Sequence, residues 1–171
     1  MNLVKEGMTN ILSSKELRGV YGTFPTGVVA VAAIVDGVRV GLAASSFTSV
    51  SLEPPLVSVA FDSASTTWPL LQASGRIGIS VLANGQGDLC RQLAARNVDR
   101  FDGAATTVSD TGGVFFDGAV SWLEVQLHAE LVAGDHTVAL FEVRSVRTFV
   151  GREPLVFHRS SFHSLASVGT A

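Results

Sequence analysis

The chain has 171 residues and a mass of 17.9 kDa, with 47% hydrophobic residues, 16% charged residues and a mean hydropathy of +0.38; this length suits one domain with one core, and the composition excludes intrinsic disorder. Twelve Lys plus Arg against fifteen Asp plus Glu leave a net charge of −3, without the basic excess that a phosphate backbone demands, so nucleic acid is not an expected partner. The single cysteine, Cys90, excludes internal disulfides and four-cysteine metal sites and points to a reducing, cytoplasmic setting, while only two lysines, Lys5 and Lys15, both near the N-terminus, argue against Schiff-base chemistry.

No stretch reaches the roughly 18 apolar residues of a membrane span, and the first residues lack the apolar centre of a signal peptide, so neither membrane insertion nor export is expected. A single domain is expected over residues 1–171, with its core at about 17–162 and loose termini. Ser13 followed by Glu16 forms a capping-box pattern, and Leu17, Val20 and Tyr21 recur at helical spacing, predicting a short helix that ends near Gly22. Val28 to Val35 is rich in β-branched residues and leads through Asp36 and Gly37 into Val38 to Leu42, a hairpin signal. Leu56 to Phe61 and Ile77 to Leu82 read as buried strands; between them Thr66 to Ala73 reads as a helix with Pro69 in its first turn. Asp88 to Ala95 predicts another helix, with Leu89, Gln92 and Leu93 spaced by three and four.

Trp122 to Leu131 alternates cleanly, which places Leu123, Val125, Leu127, Ala129 and Leu131 on a dry face and Glu124, Gln126, His128 and Glu130 on a wet one. A turn at Gly134 and Asp135 returns the chain into a strand from Thr137 to about Thr148. Six or seven mostly antiparallel strands with few, peripheral helices predict a β-barrel or sandwich.

The chain carries no phosphate-binding glycine-lysine loop, dinucleotide fingerprint, nucleophile elbow or zinc-type His-Glu pair. Its histidines, His128, His136, His158 and His163, show no tight pairing; His158 and His163, five apart on an extended segment, would face opposite sides, so no metal site is expected. The unusual segment is Gly41 to Pro55, where Ser45, Ser46, Thr48, Ser49 and Ser51 crowd the end of a strand. Such hydroxyls and closely spaced N–H groups either hold an anion without cationic side chains or form a polar loop. Ser63, Ser65, Thr66 and Thr67 precede a predicted helix, where they either receive a phosphate or simply cap it.

Six motifs stand in order: Phe-Pro-Thr-Gly-Val (Phe24 to Val28), the run Gly41 to Val57, Ser-Val-Leu-Ala with a following Gln (Ser80 to Gln86), Arg-Phe (Arg100 and Phe101), Gly-Asp-His (Gly134 to His136) and Pro-Leu-Val-Phe-His (Pro154 to His158). In these the sequence resembles the short-chain flavin reductases, the reductase components of two-component flavin-dependent monooxygenases, over roughly Leu17 to Phe162. The resemblance implies a mainly β, antiparallel split barrel of the FMN-binding type with a few short peripheral helices, forming a homodimer. It implies FAD or FMN as flavin, with NADH or NADPH stacking on it and reduced flavin passing to a partner monooxygenase; with only two lysines, both N-terminal, an extra phosphate would fall to arginines such as Arg152 or Arg159, and NADH is favoured.

By motif position, Thr26, Gly27, Val28, Ala43, Ala44, Ser45 and Ser46 would line the isoalloxazine and ribityl chain, and Ser51 and Leu52 would flank the ring through backbone groups. Ser63, Thr66 and Thr67 would receive phosphate oxygens. Gln86, Phe101, Gly134 and Phe157 belong to the same cofactor set. His136 would stand near the nicotinamide as the catalytic residue, and Arg159 would contact the dinucleotide phosphates. The sequence departs from the family at Ser80, where Asn is frequent, and at Phe157, where Tyr is frequent. In such a reaction the cofactors carry the hydride and the protein positions them. Two alternatives share the fold: a retained flavin passing electrons to another acceptor, and a non-catalytic flavin-binding protein.

Overall fold

A computed structural model describes residues 12–166; the readings of a missing signal peptide and of loose tails concern residues largely outside that range. Helix α1 (Ser14–Tyr21) begins at the predicted box: the Ser13 hydroxyl accepts the Glu16 N–H at 3.2 Å while the Glu16 carboxylate accepts the Ser13 N–H at 2.9 Å. It is followed by β1 (Thr26–Gly27), β2 (Val29–Val35), β3 (Val38–Ala44), β4 (Thr48–Leu52), β5 (Pro55–Asp62), α2 (Trp68–Gln72), β6 (Ile77–Val81) and α3 (Gly87–Ala94). Then come β7 (Thr106–Val108), β8 (Val114–Phe116), β9 (Ser121–Ala133), β10 (His136–Thr148), β11 (Val156–His158) and β12 (Ser161–His163).

The molecule is mainly β. A seven-stranded sheet runs β3-β2-β6-β9-β10-β5-β4, every pairing antiparallel, with two small sheets, β1-β11-β12 and β7-β8, beside it. Its hydrogen bonding does not close into a ring: β3 and β4 are its edges, joined by residues 45–47. Twelve strands among the described residues exceed the six or seven expected; the extra ones are short pieces that carry no periodicity of their own.

Strand β2 shows why its sequence is an unbroken apolar run. Val29, Val31 and Ala33 point into a cluster with Val59 and Phe141, while Val28 and β2 residues Ala30 and Ala32 join Leu93, Phe101 and Phe116 on the other side. Both faces are dry, so alternation is lost. The β2–β3 turn uses Asp36 (φ 49°) and Gly37 (φ 79°), the paired left-handed conformations of a tight hairpin. Gly78 in β6 is obligatory, because a Cβ there would lie 2.3 Å from the Val114 carbonyl oxygen of β8.

Three expectations are corrected. The hydroxyl-rich run after Ala44 is not a loop up to Pro55, because residues 48–52 form edge strand β4 paired with β5; consecutive serines and threonines suit an edge whose outer side faces water. The alternation in β9 buries its inner end only, for Leu131 is 65% and Val132 77% exposed, beyond the reach of the core within one chain. His158 and His163 do not face opposite sides, since Arg159 and Ser160 turn the chain back on itself and leave the two rings 5.8 Å apart. Among the described residues no helix is long and apolar enough to cross a membrane.

Candidate functional site

Helix α3 packs over β3, and the β11–β12 hairpin hangs beside them, paired through β1 so that Thr26 stands opposite Phe157. Between these elements lies an apolar slot of about 310 Å³, walled by Val28, Ala43, Ala44, Cys90, Phe157 and Phe162. Alanines on β3 keep it open where larger side chains would fill it. Burial pushes the Cys90 thiol up, against a smaller opposing effect of Arg91, so the thiol is uncharged, while the Arg91 guanidinium, also lining the slot, lies over the Phe162 ring.

The slot shares lining residues with three further cavities: one of about 550 Å³ at Arg91 and Phe162, and two that meet it at candidate residues. Sharing Ala43 and Ala94, it opens into a cavity of about 460 Å³ bordered by Asp62, Ser65, Thr66, Thr67, Arg96 and Arg100. Sharing Ser45, Phe157 and Ser160, it meets a third space of about 310 Å³ bordered by Arg18, Tyr21, Phe24, Thr26, His158 and Arg159. Arg159 (φ 48°) and Ser160 (φ 61°) hold left-handed backbone without glycine, and the Arg159 N–H donates to the Gly22 carbonyl at 3.0 Å, tying this turn to the end of α1.

Hydrogen bonds sort the hydroxyl loop into scaffold and free groups. Ser65 Oγ accepts the N–H groups of Thr67 (3.3 Å) and Trp68 (3.1 Å), so it caps α2; Asp62 Oδ1 accepts the Ala64 N–H at 2.8 Å. Arg100 donates through Nη1 to Thr67 Oγ1 and to the Gly41 carbonyl, and through Nε to the Ala95 carbonyl, each at 2.9 Å. Ser63 and Thr66 are exposed.

The structure therefore gathers Thr26, Val28, Ala43, Ala44, Ser45, Thr66, Thr67, Phe157 and Arg159 along one cleft, with Gly27 in the β1 strand that braces it. Other candidates do different work. Ser46 Oγ donates to the Ala60 carbonyl at 2.9 Å and accepts the Ala60 N–H at 3.0 Å, strapping residues 45–47 to β5. Ser51 accepts the Glu53 N–H at 3.2 Å, and Ser51 and Leu52 sit at the tip of the β4–β5 hairpin, lining none of the three joined spaces. Gln86 accepts the Ala83 N–H at 2.8 Å and donates to the Asp117 carbonyl at 2.9 Å, a bracket away from the cleft. Phe101 is buried and stacked on Phe116, 5.5 Å between centroids. Ser80, fully buried, accepts the Phe116 N–H at 3.0 Å.

Gly134 (φ 65°) turns β9 into β10 and sets His136 in register with Asp62, while the Ser63 N–H donates to the Asp135 carbonyl at 2.9 Å. Within one chain His136 thus stands by the hydroxyl loop and borders none of the three joined spaces. Its Nδ1 lies 2.8 Å from Asp135 Oδ1; that hydrogen bond, and then the imidazole's charge, holds Asp135 below the usual carboxylate range. Sequence reasoning missed Arg18, Tyr21, Arg96 and Phe162 as cleft residues and had Phe24 and Arg100 only within motifs. The four-residue step from Arg96 to Arg100 just past α3 was the available signal; nothing local marked the others.

An apolar slot between a hydroxyl-and-arginine cavity and a second basic space fits an elongated ligand with a flat ring and a phosphate-bearing arm, with room for a second anionic molecule. Comparison with known proteins agrees. Residues 21–166 match the family described as flavin reductase like domain. A flavin reductase of Pseudomonas putida is 38% identical over 152 residues, covering 88% of this chain and 89% of that protein. The reductase subunit of a flavin-dependent monooxygenase of Rhodococcus jostii is 34% identical, covering 88% and 77%. The NADH:FAD oxidoreductase of Streptomyces globisporus, solved with NAD and FAD fragments, superposes with a TM-score of 0.84 at 36% identity, covering 89% and 92%. The cleft and these likenesses converge, and the chain belongs to the flavin reductase like family.

Proposed function

We propose that the protein is an NAD(P)H:flavin oxidoreductase that reduces FAD or FMN, with NADH as the favoured donor, and supplies reduced flavin to a partner flavin-dependent monooxygenase. The observation that carries this reading is the row of three adjoining cavities, one lined by hydroxyls and arginines, an apolar one in the middle and one bordered by Arg18 and Arg159. Relatives named as the reductase subunit of a flavin-dependent monooxygenase and as an NADH-dependent FAD reductase support it. When bound, the flavin and the nicotinamide supply the hydride acceptor and donor.

The chain's own residues do the rest. Val28, Ala43, Ala44 and Phe157 offer a flat apolar bed, which excludes water from one face of a ring. Thr66 and Thr67 present hydroxyls where a phosphate-bearing arm would lie, and Arg100 anchors that loop. Arg18 and Arg159 supply positive charge beside the ring pocket, where a second dinucleotide would bring its own phosphates. No side chain is asked to form a covalent bond; orientation at near-attack distance accounts for the acceleration. A cytoplasmic setting accords with the single thiol.

A homodimer belongs to the same reading. The turn end of the β9–β10 hairpin leaves Leu131 and Val132 exposed, at 65% and 77%, apolar side chains that a second copy would cover.

Anaerobic stopped-flow absorbance at the flavin band tests the function, mixing protein and stoichiometric FAD or FMN with NADH and then with NADPH. Rapid bleaching, with flavin lost on gel filtration, is expected. Bleaching with flavin retained through gel filtration would favour a bound prosthetic group instead, and bound flavin without bleaching would leave a flavin-binding protein only.

A further inference from the structure

The two arginines of the polar cavity differ in a way the flavin reading does not use. Arg100 is committed: its guanidinium makes three hydrogen bonds, to Thr67 Oγ1, the Gly41 carbonyl and the Ala95 carbonyl. It joins the hydroxyl loop, β3 and the end of α3, and so fixes where the Thr67 hydroxyl stands. Arg96, four residues earlier on the same wall, is exposed and makes no ion pair or hydrogen bond with the described residues. The only carboxylate lining this cavity, Asp62, has Oδ1 turned to the Ala64 N–H.

Size points the same way. At about 30 Å³ per water, 460 Å³ holds about fifteen waters, several times the space of one phosphate group. The cavity has a built station at Thr66, Thr67 and Arg100, and further room beside an unpartnered guanidinium.

We propose that this cavity accepts a diphosphate, Arg96 being the residue that selects FAD over FMN and Arg100 a positioning residue that holds Thr67 for the first phosphate. The proposal rests on the flavin reading of the cleft. Guanidinium suits the task, since its planar fork binds adjacent phosphate oxygens in a way lysine does not reproduce.

Equilibrium binding of oxidised riboflavin, FMN and FAD, read by flavin fluorescence without any nicotinamide, tests it, because the three carry no phosphate, one and two. For the unaltered protein FAD is expected to bind about tenfold tighter than FMN, the value of one charge-assisted hydrogen bond, and riboflavin weakest. Arg96→Gln is expected to bring the FAD affinity down to that of FMN while FMN and riboflavin stay put; Arg96→Lys should recover only part. Arg100→Gln is expected to weaken FMN and FAD together and spare riboflavin, which a general loss of fold would not do. FMN binding as tightly as FAD, or Arg96→Gln weakening all three alike or none, overturns the proposal. If the flavins bind and are bleached by NADH but the FAD to FMN ratio ignores Arg96, only this proposal falls. If no flavin binds, or none is bleached, the reductase reading falls with it.

Discussion

Single hydroxyls in this chain divide into those that build the cleft and those that face it. Ser46 belongs to the first kind, since its Oγ satisfies both the N–H and the carbonyl of Ala60. Ser46→Ala leaves that peptide without partners on one side, and a loss of about 1–3 kcal/mol is expected by urea denaturation. His136 is a sharper case, being in register with Asp62 yet the residue that the Gly-Asp-His motif assigns to catalysis. His136→Ala measured under anaerobic single turnover separates two roles. A raised flavin Kd with an intact bleaching rate would assign it to the phosphate-bearing arm, whereas a bleaching rate lowered by about 10²-fold or more would assign it to the reacting rings. The same substitution tests the non-catalytic alternative, because a mere flavin carrier has no rate to lose.

At the scale of elements, close approach and buried polar ties decide more than propensity does. Strand β6 passes so near β8 that only glycine fits at residue 78; Gly78→Ala is expected to cost about 3 kcal/mol, seen as a fall in denaturation midpoint. The loop between β7 and β8 is tied to β9 through Glu124, whose carboxylate accepts from Ser109 Oγ and Thr111 Oγ1, each at 2.5 Å. Burial raises the Glu124 pKa, but those two hydrogen bonds and then Arg76 outweigh it, so the group lies below its ordinary 4.5. A carboxylate with a depressed folded pKa contributes stability above its unfolded pKa and loses it as pH falls through the folded one. The Tm advantage of the unaltered protein over Glu124→Gln is therefore expected to be full at pH 7 and to shrink below about pH 4.5.

For the whole molecule, Leu131 and Val132, exposed at the turn end of the β9–β10 hairpin, are where the proposed dimer is tested. Light scattering on gel filtration is expected to give twice 17.9 kDa, and Leu131→Lys with Val132→Lys to give single chains that keep their far-UV spectrum, since neither residue is in the core. A monomer in the unaltered protein would discard the dimer. The same scale explains the cleft: its three spaces meet only because α3, β3 and the β11–β12 hairpin converge.

What the sequence alone determined is local. The Ser13–Glu16 box, the Asp36–Gly37 hairpin, the Gly134 turn and the apolar strands are written in neighbouring residues, where capping, left-handed backbone and side-chain period act over a few positions. The motif series likewise named Thr26, Ala43, Thr67 and Phe157, which do share one cleft. Only the tertiary structure decided that Arg100 holds Thr67, that Arg96 has no partner among the described residues, that Ser46 straps Ala60 and Gln86 the Asp117 carbonyl, and that His136 lies beside Asp62. Those contacts join residues 14 to 74 positions apart, and no short-range period or turn signal encodes a partner at such a distance; it follows from how the sheet pairs its strands.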